Sequence, residues 1–380
     1  MIMKPEEIPD QILIYTVIKN SAVILRCFSH EDTAWIPAVL DGIPVRGAGA
    51  YCFSSRMDRD HLAKTARETG LRAACTRAGS AMLEKISGQM QESVSTEKDP
   101  GGLQFLSGEK DLPGGLQLLA GDRLQGVILQ DGVESVGRYC FYECSMLQEI
   151  TFPASLTDWG SGVFTGCHRI RRLTVIAEEA EQTRLKDVLD ELSETVSVRF
   201  MSRSGSLYAS LVFPGFFEEG VENTPARILE THVHGSGLLY RNCFRSRVYD
   251  FREYDRQFPY AVAREDLSVT ERIAEGRLRC PHQLTDEARD SYEAFFVRMR
   301  VEIGNACIED EDLPCLRLLA ELCERRMASE PEALAAWFAG MIRAAGEKGR
   351  AGMISFLMEH QRRLTASSGA HPSGRRRFEL

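Results

Sequence analysis

Residues 127–176 read VILQDGVESVGRYCFYECSMLQEI followed by TFPASLTDWGSGVFTGCHRIRRLTVI. The two halves of this stretch align at a fixed offset of 23 residues, and apolar residues fall on apolar residues throughout. Identical pairs at this offset include Gly137/Gly160, Phe141/Phe164 and Cys144/Cys167. A period of about twenty to thirty residues is typical of a solenoid, in which each unit buries its apolar side against its neighbour. The stretch therefore predicts stacked coils of chain.

A third copy of the unit lies nearer the N-terminus, in residues 33–55. Residues 51–53 read Tyr-Cys-Phe, as do residues 139–141 of the later copy. Before it, residues 12–28 contain two β-rich runs around a short polar turn, a pattern that predicts a β-hairpin. Because the open edge of a solenoid invites strand pairing, we expect this hairpin to cap the first coil.

The shared pattern resembles the BspA-type leucine-rich repeat, which is common in bacterial proteins. Residues 36–37 and 41–45 carry it as Ile-Pro and Asp-Gly-Ile-Pro-Val, and the two later copies carry its Gly, Phe, Cys, Leu and Ile positions. The resemblance implies a short leucine-rich-repeat solenoid. Its predicted repeat core consists of Phe53, Gly137, Phe141, Cys144, Leu147, Ile150, Gly160, Phe164, Cys167, Ile170 and Leu173.

Composition shifts divide the chain into six parts. Gly, Pro, Ser and charged residues are concentrated between the first and second copies and indicate an insertion or linker. A helical pattern over residues 58–77 precedes it, and a helix followed by an alternating strand, residues 178–200, is predicted to close the far end of the solenoid. The predicted parts are 1–78 (cap hairpin and first repeat), 79–122 (insertion), 123–200 (later repeats and C-terminal cap), 201–266 (mixed connecting segment), 267–364 (helical module) and 365–380 (disordered basic tail).

Helical periodicity dominates from residue 267 onward. Two stretches that begin at Ala306 and Ala344 align at an offset of 38, with Glu309/Glu347 and Leu319/Leu357 matching in type. Each resembles the end of one helix, the turn and the second helix of an ankyrin-type repeat. The predicted fold class is therefore α+β, a short leucine-rich-repeat β-solenoid followed by a mostly α-helical module of helical hairpins.

Composition excludes several function classes. A formal net charge of -9 gives no general attraction to nucleic acid or to an anionic membrane surface. No apolar run reaches the ~18 residues of a membrane-spanning helix, and the first twenty residues lack the basic and apolar regions of an export signal. The eleven cysteines contain no C-x-x-C pair, which argues against a zinc ribbon, and a cytoplasmic, reducing location is expected.

The segment 213–260 carries the remaining candidates for a functional site. His232 and His234 would point to one face of a strand and, with Asp250, offer a set of metal ligands. The alternative is that both histidines lie on the surface or at the edge of the core. Pro225, in the sequence Asn-Thr-Pro before an apolar run, predicts a short helix. The density of aromatic residues makes this segment the candidate non-repeat surface, with Tyr260 as a test position.

These patterns predict a non-enzymatic scaffold or adaptor that binds another protein, with no catalytic residue and no cofactor. Repeat surfaces of this type bind through area and shape. Two alternatives remain open at this point, a metal-dependent hydrolase built on His232, His234 and Asp250, and a surface adhesin of the kind found among BspA-type proteins. We predict no nucleic-acid partner and no insertion into a membrane.

Overall fold

The structure, a computed structural model, describes residues 8–56, 64–65, 68–76, 115–223 and 228–368. The chain divides into two compact units, Met1–Glu265 with Cys280–Gln283, and Asp266–Arg279 with Leu284–Leu380. Most of the predicted insertion and the last twelve residues of the predicted basic tail lie outside the described residues.

Among the described residues, the first unit contains both strands and helices, and the strands predominate. In chain order these are β1 (Gln11–Ile18), β2 (Ser21–Ser29), β3 (Thr33–Ile36), β4 (Val39–Leu40), β5 (Ile43–Ala48), β6 (Arg72–Cys75), β7 (Gln117–Leu118), β8 (Gly126–Leu129), β9 (Ser135–Val136), β10 (Glu149–Pro153), β11 (Asp158–Trp159), β12 (Arg172–Ile176), α1 (Leu185–Glu191), β13 (Val196–Met201), β14 (Leu207–Phe213), β15 (Phe217–Asn223), β16 (Ile228–His234), α2 (Gly237–Arg241), β17 (Phe244–Arg245), β18 (Val248–Tyr249), α3 (Phe251–Arg256) and α4 (Phe258–Arg264).

The repeats form a β-solenoid with two columns of strands. In the larger column, β3, β8, β10, β12 and β13 pair in parallel, and β14 adds an antiparallel strand at the end. In the smaller column, β5, β9 and β11 pair in parallel. Each of the three predicted copies contributes one strand to each column, which confirms the predicted α+β solenoid and its period.

Two stacked columns of side chains fill the solenoid. The Phe141 ring lies between the Phe53 and Phe164 rings, with centroid distances of 5.4 Å and 5.9 Å and nearly parallel planes. All three rings are buried. Beside them, the Cys144 thiol donates to the carbonyl of Phe53 at 3.2 Å, and the Cys167 thiol donates to that of Phe141 at 3.0 Å. Each cysteine therefore ties its own coil to the coil before it.

The repeated glycine marks a place where backbones of neighbouring coils touch. A Cβ atom added to Gly160 would collide with the backbone of Gly137 and Arg138, and one added to Gly137 would collide with the backbone of Gly49 and Ala50. A side chain has no room in either position, so only glycine permits this spacing. Gly49, Gly137 and Gly160 thus occupy equivalent places on three successive coils.

The first coil is capped by the predicted hairpin. Strands β1 and β2 pair antiparallel around a two-residue turn in which Lys19 and Asn20 have positive φ. The buried side-chain amide of Gln11 accepts from the backbone N–H of Trp35 at 3.1 Å and donates to its carbonyl. Because these groups belong to the outermost parallel strand, β3, the Gln11 amide replaces the strand that would otherwise continue the sheet.

A buried arginine at each cap donates hydrogen bonds to several backbone carbonyls. In β2, Arg26 Nη1 donates to the carbonyls of Tyr51, Cys52 and Ser54 at 2.7–3.0 Å. Near the other end, the Arg241 guanidinium donates to five carbonyl oxygens, which belong to Leu189, Leu192, Glu194, Pro214 and Gly237. Burial lowers the pKa of both guanidinium groups, to about 10 for Arg241.

Three local predictions in this unit were wrong. Residues 72–75 form strand β6 beside β1 and do not continue the helix predicted over 58–77, because Ala74 is buried against the cap hairpin. Residues 116–119, assigned to the insertion, are ordered because Leu116 and Leu119 are buried and β7 pairs with β2. Residues 224–227, where the helix predicted at Pro225 would begin, lie outside the described residues, and the residues that follow form strand β16, which pairs with β15.

The far end of the solenoid differs in detail from the prediction. Strand β13 follows helix α1, but it continues the parallel sheet. The antiparallel strand β14 closes the sheet instead, and the buried ring of its last residue, Phe213, packs against the buried ring of Tyr254. The Tyr254 hydroxyl donates to the carbonyl of Val212 at 2.8 Å, so helix α3 is tied to this last strand.

The second unit is helical and contains a repeated hairpin. Its described helices are α5 (Leu267–Arg279), α6 (Asp286–Arg298), α7 (Arg300–Glu309), α8 (Leu313–Arg326), α9 (Pro331–Glu347) and α10 (Ala351–Ser368). Glu311 and Gly349, 38 residues apart, both have positive φ, of 57° and 69°. The next residue in each turn donates to a carbonyl five positions earlier, Asp312 to Cys307 and Arg350 to Ala345. The 38-residue offset is therefore a repeat of backbone geometry. Helix α10 also extends four residues into the predicted tail.

Candidate interaction surface

The outward face of the six-stranded sheet is the most regular exposed feature of the solenoid. Side chains alternate across the sheet, and the inward row Ala34, Val127, Ile150, Leu173, Val198 and Leu211 is at most 1% exposed. The neighbouring positions face outward and lie next to one another on consecutive strands. These are Trp35, Ile128, Thr151, Thr174, Arg199 and Ser210, which we call the outward row.

The outward row changes in chemistry along its length. Trp35 and Ile128, at the N-terminal end, are half-buried and offer apolar area. Thr151 and Thr174 follow, and Arg199 is exposed near the C-terminal end. Trp and Arg are among the residues whose truncation to alanine most often weakens binding at a protein interface. The row thus combines an aromatic anchor, short polar side chains and a cation on one rigid sheet.

A second outward row is already paired within the chain. Glu149 and Arg172 are opposite each other in the sheet register and form an ion pair with both side chains about half exposed. Gln148 and Gln125 contact each other at 3.4 Å between the neighbouring coils of β10 and β8. Exposed ion pairs of this kind contribute little to stability. They leave Arg199 of the outward row as the more isolated charge on this face.

A pocket of about 240 Å³ lies beside the C-terminal cap of the solenoid. Aromatic rings of Phe200, Tyr208 and Phe251 line it together with carboxylates. The carboxylates are occupied within the chain, since Glu181 pairs with Arg203 at 2.8 Å and Asp250 pairs with Arg245 at 2.5 Å. Burial and nearby glutamates raise the pKa of Tyr208 to about 12. The pocket therefore supplies no free ionised nucleophile.

The structure does not bring the predicted metal ligands together. His234 contacts Glu219 at 2.9 Å and stacks on the Phe217 ring, so it belongs to the surface of the β15–β16 hairpin. Asp250 accepts from the backbone N–H of Glu253 and caps helix α3. His232, His234 and Asp250 do not form a cluster of ligand atoms among the described residues. Their separation argues against the metal-dependent hydrolase.

The cysteines of the solenoid are packing residues with suppressed acidity. All eleven cysteines of the chain lie among the described residues, and all are free thiols. Burial raises the pKa of the thiols of Cys144 and Cys167, to about 12 for Cys167. Burial likewise raises the pKa of Cys243 to about 12. A thiol is nucleophilic only as the thiolate, so these positions are chemically inert at neutral pH.

One ligand cluster was not predicted from the sequence. Glu271, Cys307 and Cys315 belong to three different helices of the second unit, and one ligand atom of each lies within 4.8 Å of those of the other two. Cys307 and Cys315 are eight residues apart in sequence, a spacing without a diagnostic motif. Only the helical packing brings the acidic residue of α5 to them.

The stacked coils, the glycine and phenylalanine columns and the parallel outward sheet define a leucine-rich-repeat solenoid. Residues 117–187 match the family described as BspA type Leucine rich repeat region (6 copies). The match confirms the predicted leucine-rich-repeat part and covers strands β7 to β12. The first copy, residues 33–55, lies outside the matched range but pairs with the second copy in both columns. The ankyrin-type character of the helical hairpins stays a prediction.

Neither the curated proteins nor the solved structures compared with the chain gave a match. Among the residues that the structure describes, no helix combines the length and the apolar character needed to cross a membrane.

Proposed function

We propose that this protein is a non-enzymatic scaffold that binds a partner protein across the outward row of its solenoid sheet. The observation that carries the proposal is the continuity of the row, in which Trp35 and Arg199 stand on the same face of a six-stranded sheet. Leucine-rich repeats in general act as protein-interaction scaffolds, and the match over residues 117–187 supports that role here.

The size of the sheet limits the kind of complex. Six strands spaced about 4.8 Å apart span about 24 Å, and strands of about five residues are about 17 Å long. The face therefore covers about 400 Å², roughly half of the ~800 Å² that each partner contributes to a standard interface. We expect the sheet to bind one protein segment in a transient complex, or to supply half of a larger interface.

The test starts by identifying the segment that contacts the sheet. A photoreactive amino acid at Thr151, in the middle of the outward row, is introduced into the full chain, and the cross-linked protein from the native cell is identified by mass spectrometry. The recombinant partner is then titrated against the wild type and variants by calorimetry. We expect Trp35→Ala and Arg199→Ala each to weaken binding at least tenfold, since such anchors carry most of the energy of an interface.

Tyr260→Ala is the matched control. Tyr260 is also an exposed aromatic residue, 50% accessible, but it belongs to helix α4 and not to a strand of the sheet. Its replacement is expected to leave the affinity unchanged. If Tyr260→Ala weakens binding while the two variants of the outward row do not, the connecting segment 213–260 is the interaction surface and the proposal is wrong.

A further inference from the structure

The strongest unassigned chemistry lies in the helical unit, around two buried thiols. Cys307 in α7 and Cys315 in α8 are 2% and 1% exposed. The Cys315 Sγ atom lies 3.3 Å from Glu271 Oε1 of α5. Glu275, one turn further along α5, lies close enough to the Cys315 thiol to interact with it. We call Glu271, Glu275, Cys307 and Cys315 the thiol–carboxylate cluster.

The spacing of the cluster suits a tetrahedral metal ion. With Zn–S near 2.3 Å and Zn–O near 2.1 Å, tetrahedral angles place two sulfurs about 3.8 Å apart and a sulfur and an oxygen about 3.6 Å apart. The ligand atoms of Glu271, Cys307 and Cys315 lie within 4.8 Å of one another. Small rotations of these side chains would therefore close the site around an ion.

Helix α5 carries charges of both signs beside the cluster. It contains Glu271 and Glu275 together with Arg272, Arg277 and Arg279. Arg279 pairs with Glu275 at 2.8 Å, whereas the Glu271 carboxylate accepts from the Cys315 thiol. The Glu271 carboxylate is therefore directed at the thiols.

Packing alone does not require cysteines in these places. In the next helical hairpin, 38 residues later, the positions of Cys307 and Cys315 are taken by Ala345 and Met353. Both are buried, at 0% and 4% exposure. The repeat thus accepts an apolar residue at each position, and the pair of thiols facing a carboxylate is specific to the first hairpin.

We propose that Glu271, Cys307 and Cys315 bind one Zn²⁺ ion, with Glu275 as the fourth ligand. Two thiolates select a borderline-soft ion such as Zn²⁺ over Mg²⁺ or Ca²⁺, which prefer oxygen ligands. A closed set of four protein ligands is the arrangement of structural zinc sites. The ion would fasten α5, α7 and α8 to one another. Binding would displace the thiol protons into solvent.

The test uses the full chain, reduced and stripped of metal with a chelator. Titration with Co²⁺, a spectroscopic substitute for Zn²⁺, is expected to give thiolate charge-transfer bands and the visible bands of a tetrahedral complex. Elemental analysis after dialysis against Zn²⁺ is expected to give about one ion per chain, with protons released to a pH indicator. Zn²⁺ should also raise the melting temperature of the helical unit.

Variants separate this site from the other thiols. Cys307→Ala/Cys315→Ala is expected to abolish the Co²⁺ bands, and Glu271→Gln, which keeps the shape of the side chain, is expected to weaken binding at least tenfold. Cys323→Ala is the matched control, because Cys323 is another buried thiol of α8 outside the cluster. It should bind like the wild type.

Three results would overturn the proposal: no thiolate bands in the wild type, bands that persist in the double variant, or a Cys307–Cys315 disulfide that forms in place of metal uptake. Circular dichroism of Glu271→Gln, compared with the wild type, shows that any loss of binding is not a loss of fold.

Discussion

Replacing Phe141 by alanine tests the stacked core directly. Phe141 is fully buried, and its ring is stacked between two others, at 5.4 Å and 5.9 Å. Truncating a buried Phe costs about 3–5 kcal/mol, because transfer energy is lost and a cavity is left. Aromatic pairs add about 0.5–1.5 kcal/mol each beyond buried area, so the middle ring of the column falls in the upper half of that range, about 4–5 kcal/mol.

This free energy corresponds to a large shift in melting temperature. For a unit of about 150–250 residues, each kcal/mol lowers the midpoint by about 2–4 °C, so Phe141→Ala is expected to lower it by roughly 8–20 °C. Scanning calorimetry of the full chain resolves the transition that moves. Phe217→Ala is the control, because Phe217 is 62% exposed and its loss is expected to shift the midpoint by no more than about 2 °C. A Phe141→Ala shift equal to that of the control would refute the stacked core.

Three further substitutions test other parts of the structure. Gly160→Ala is expected to lower the urea midpoint of the solenoid, because the added Cβ would collide with neighbouring backbone. Gly340→Ala, inside α9 with open space around it, should instead increase the free energy of unfolding by about 0.5–1 kcal/mol. Stability changes of the same sign for the two variants in urea unfolding would contradict this. Arg241→Lys is expected to lower the free energy of unfolding by at least about 2 kcal/mol in the same assay, because an ammonium group cannot donate to all five carbonyls that the planar guanidinium reaches. An unchanged urea midpoint would disprove this structural role of Arg241. Burial and the hydrogen bond to Asp41 raise the pKa of Tyr15 to about 12, above its value near 10 in the unfolded chain. The contribution of Tyr15 to folding stability is therefore complete below pH 10 and is lost as the pH rises toward 12. Tyr15→Phe should therefore flatten the alkaline fall in stability, and an unchanged slope in pH-dependent melting would count against it.

The sequence was sufficient to predict the coils because a solenoid is built from local, periodic contacts. The offset of 23 residues places Phe141 over Phe164 and Gly137 beside Gly160, and both contacts occur. The cap hairpin followed from its turn residues, Lys19 and Asn20. These features depend on neighbours a known number of residues apart, so periodicity was enough to predict them.

What could not be predicted depends on contacts without a period. The side-chain amide of Gln11 hydrogen-bonds the backbone of Trp35 where a further strand would otherwise pair, and Arg241 donates to carbonyls of residues up to 52 positions away. A lone Gln or Arg in a sequence carries no signal of such a role. Glu271 approaches Cys315 across 44 residues only because three helices pack around them. The strand after Pro225 was mistaken for a helix because its pairing with β15 overrides the local helix signal.

The place of the insertion shows that the coil, and not the continuity of the chain, is the unit of this fold. The first and second coils are separated by about 70 residues of sequence, whereas the second and third follow directly. Yet the contacts across both junctions are the same: Gly49 touches Gly137 as Gly137 touches Gly160, and Phe53 stacks on Phe141 as Phe141 stacks on Phe164. The cost of closing a longer loop rises by only about 0.6 kcal/mol per doubling of its length. Burying one phenylalanine ring in the stack contributes more free energy than several doublings of the loop length cost. The coils therefore stack in register across the insertion, and the outward row stays continuous from β3 to β8.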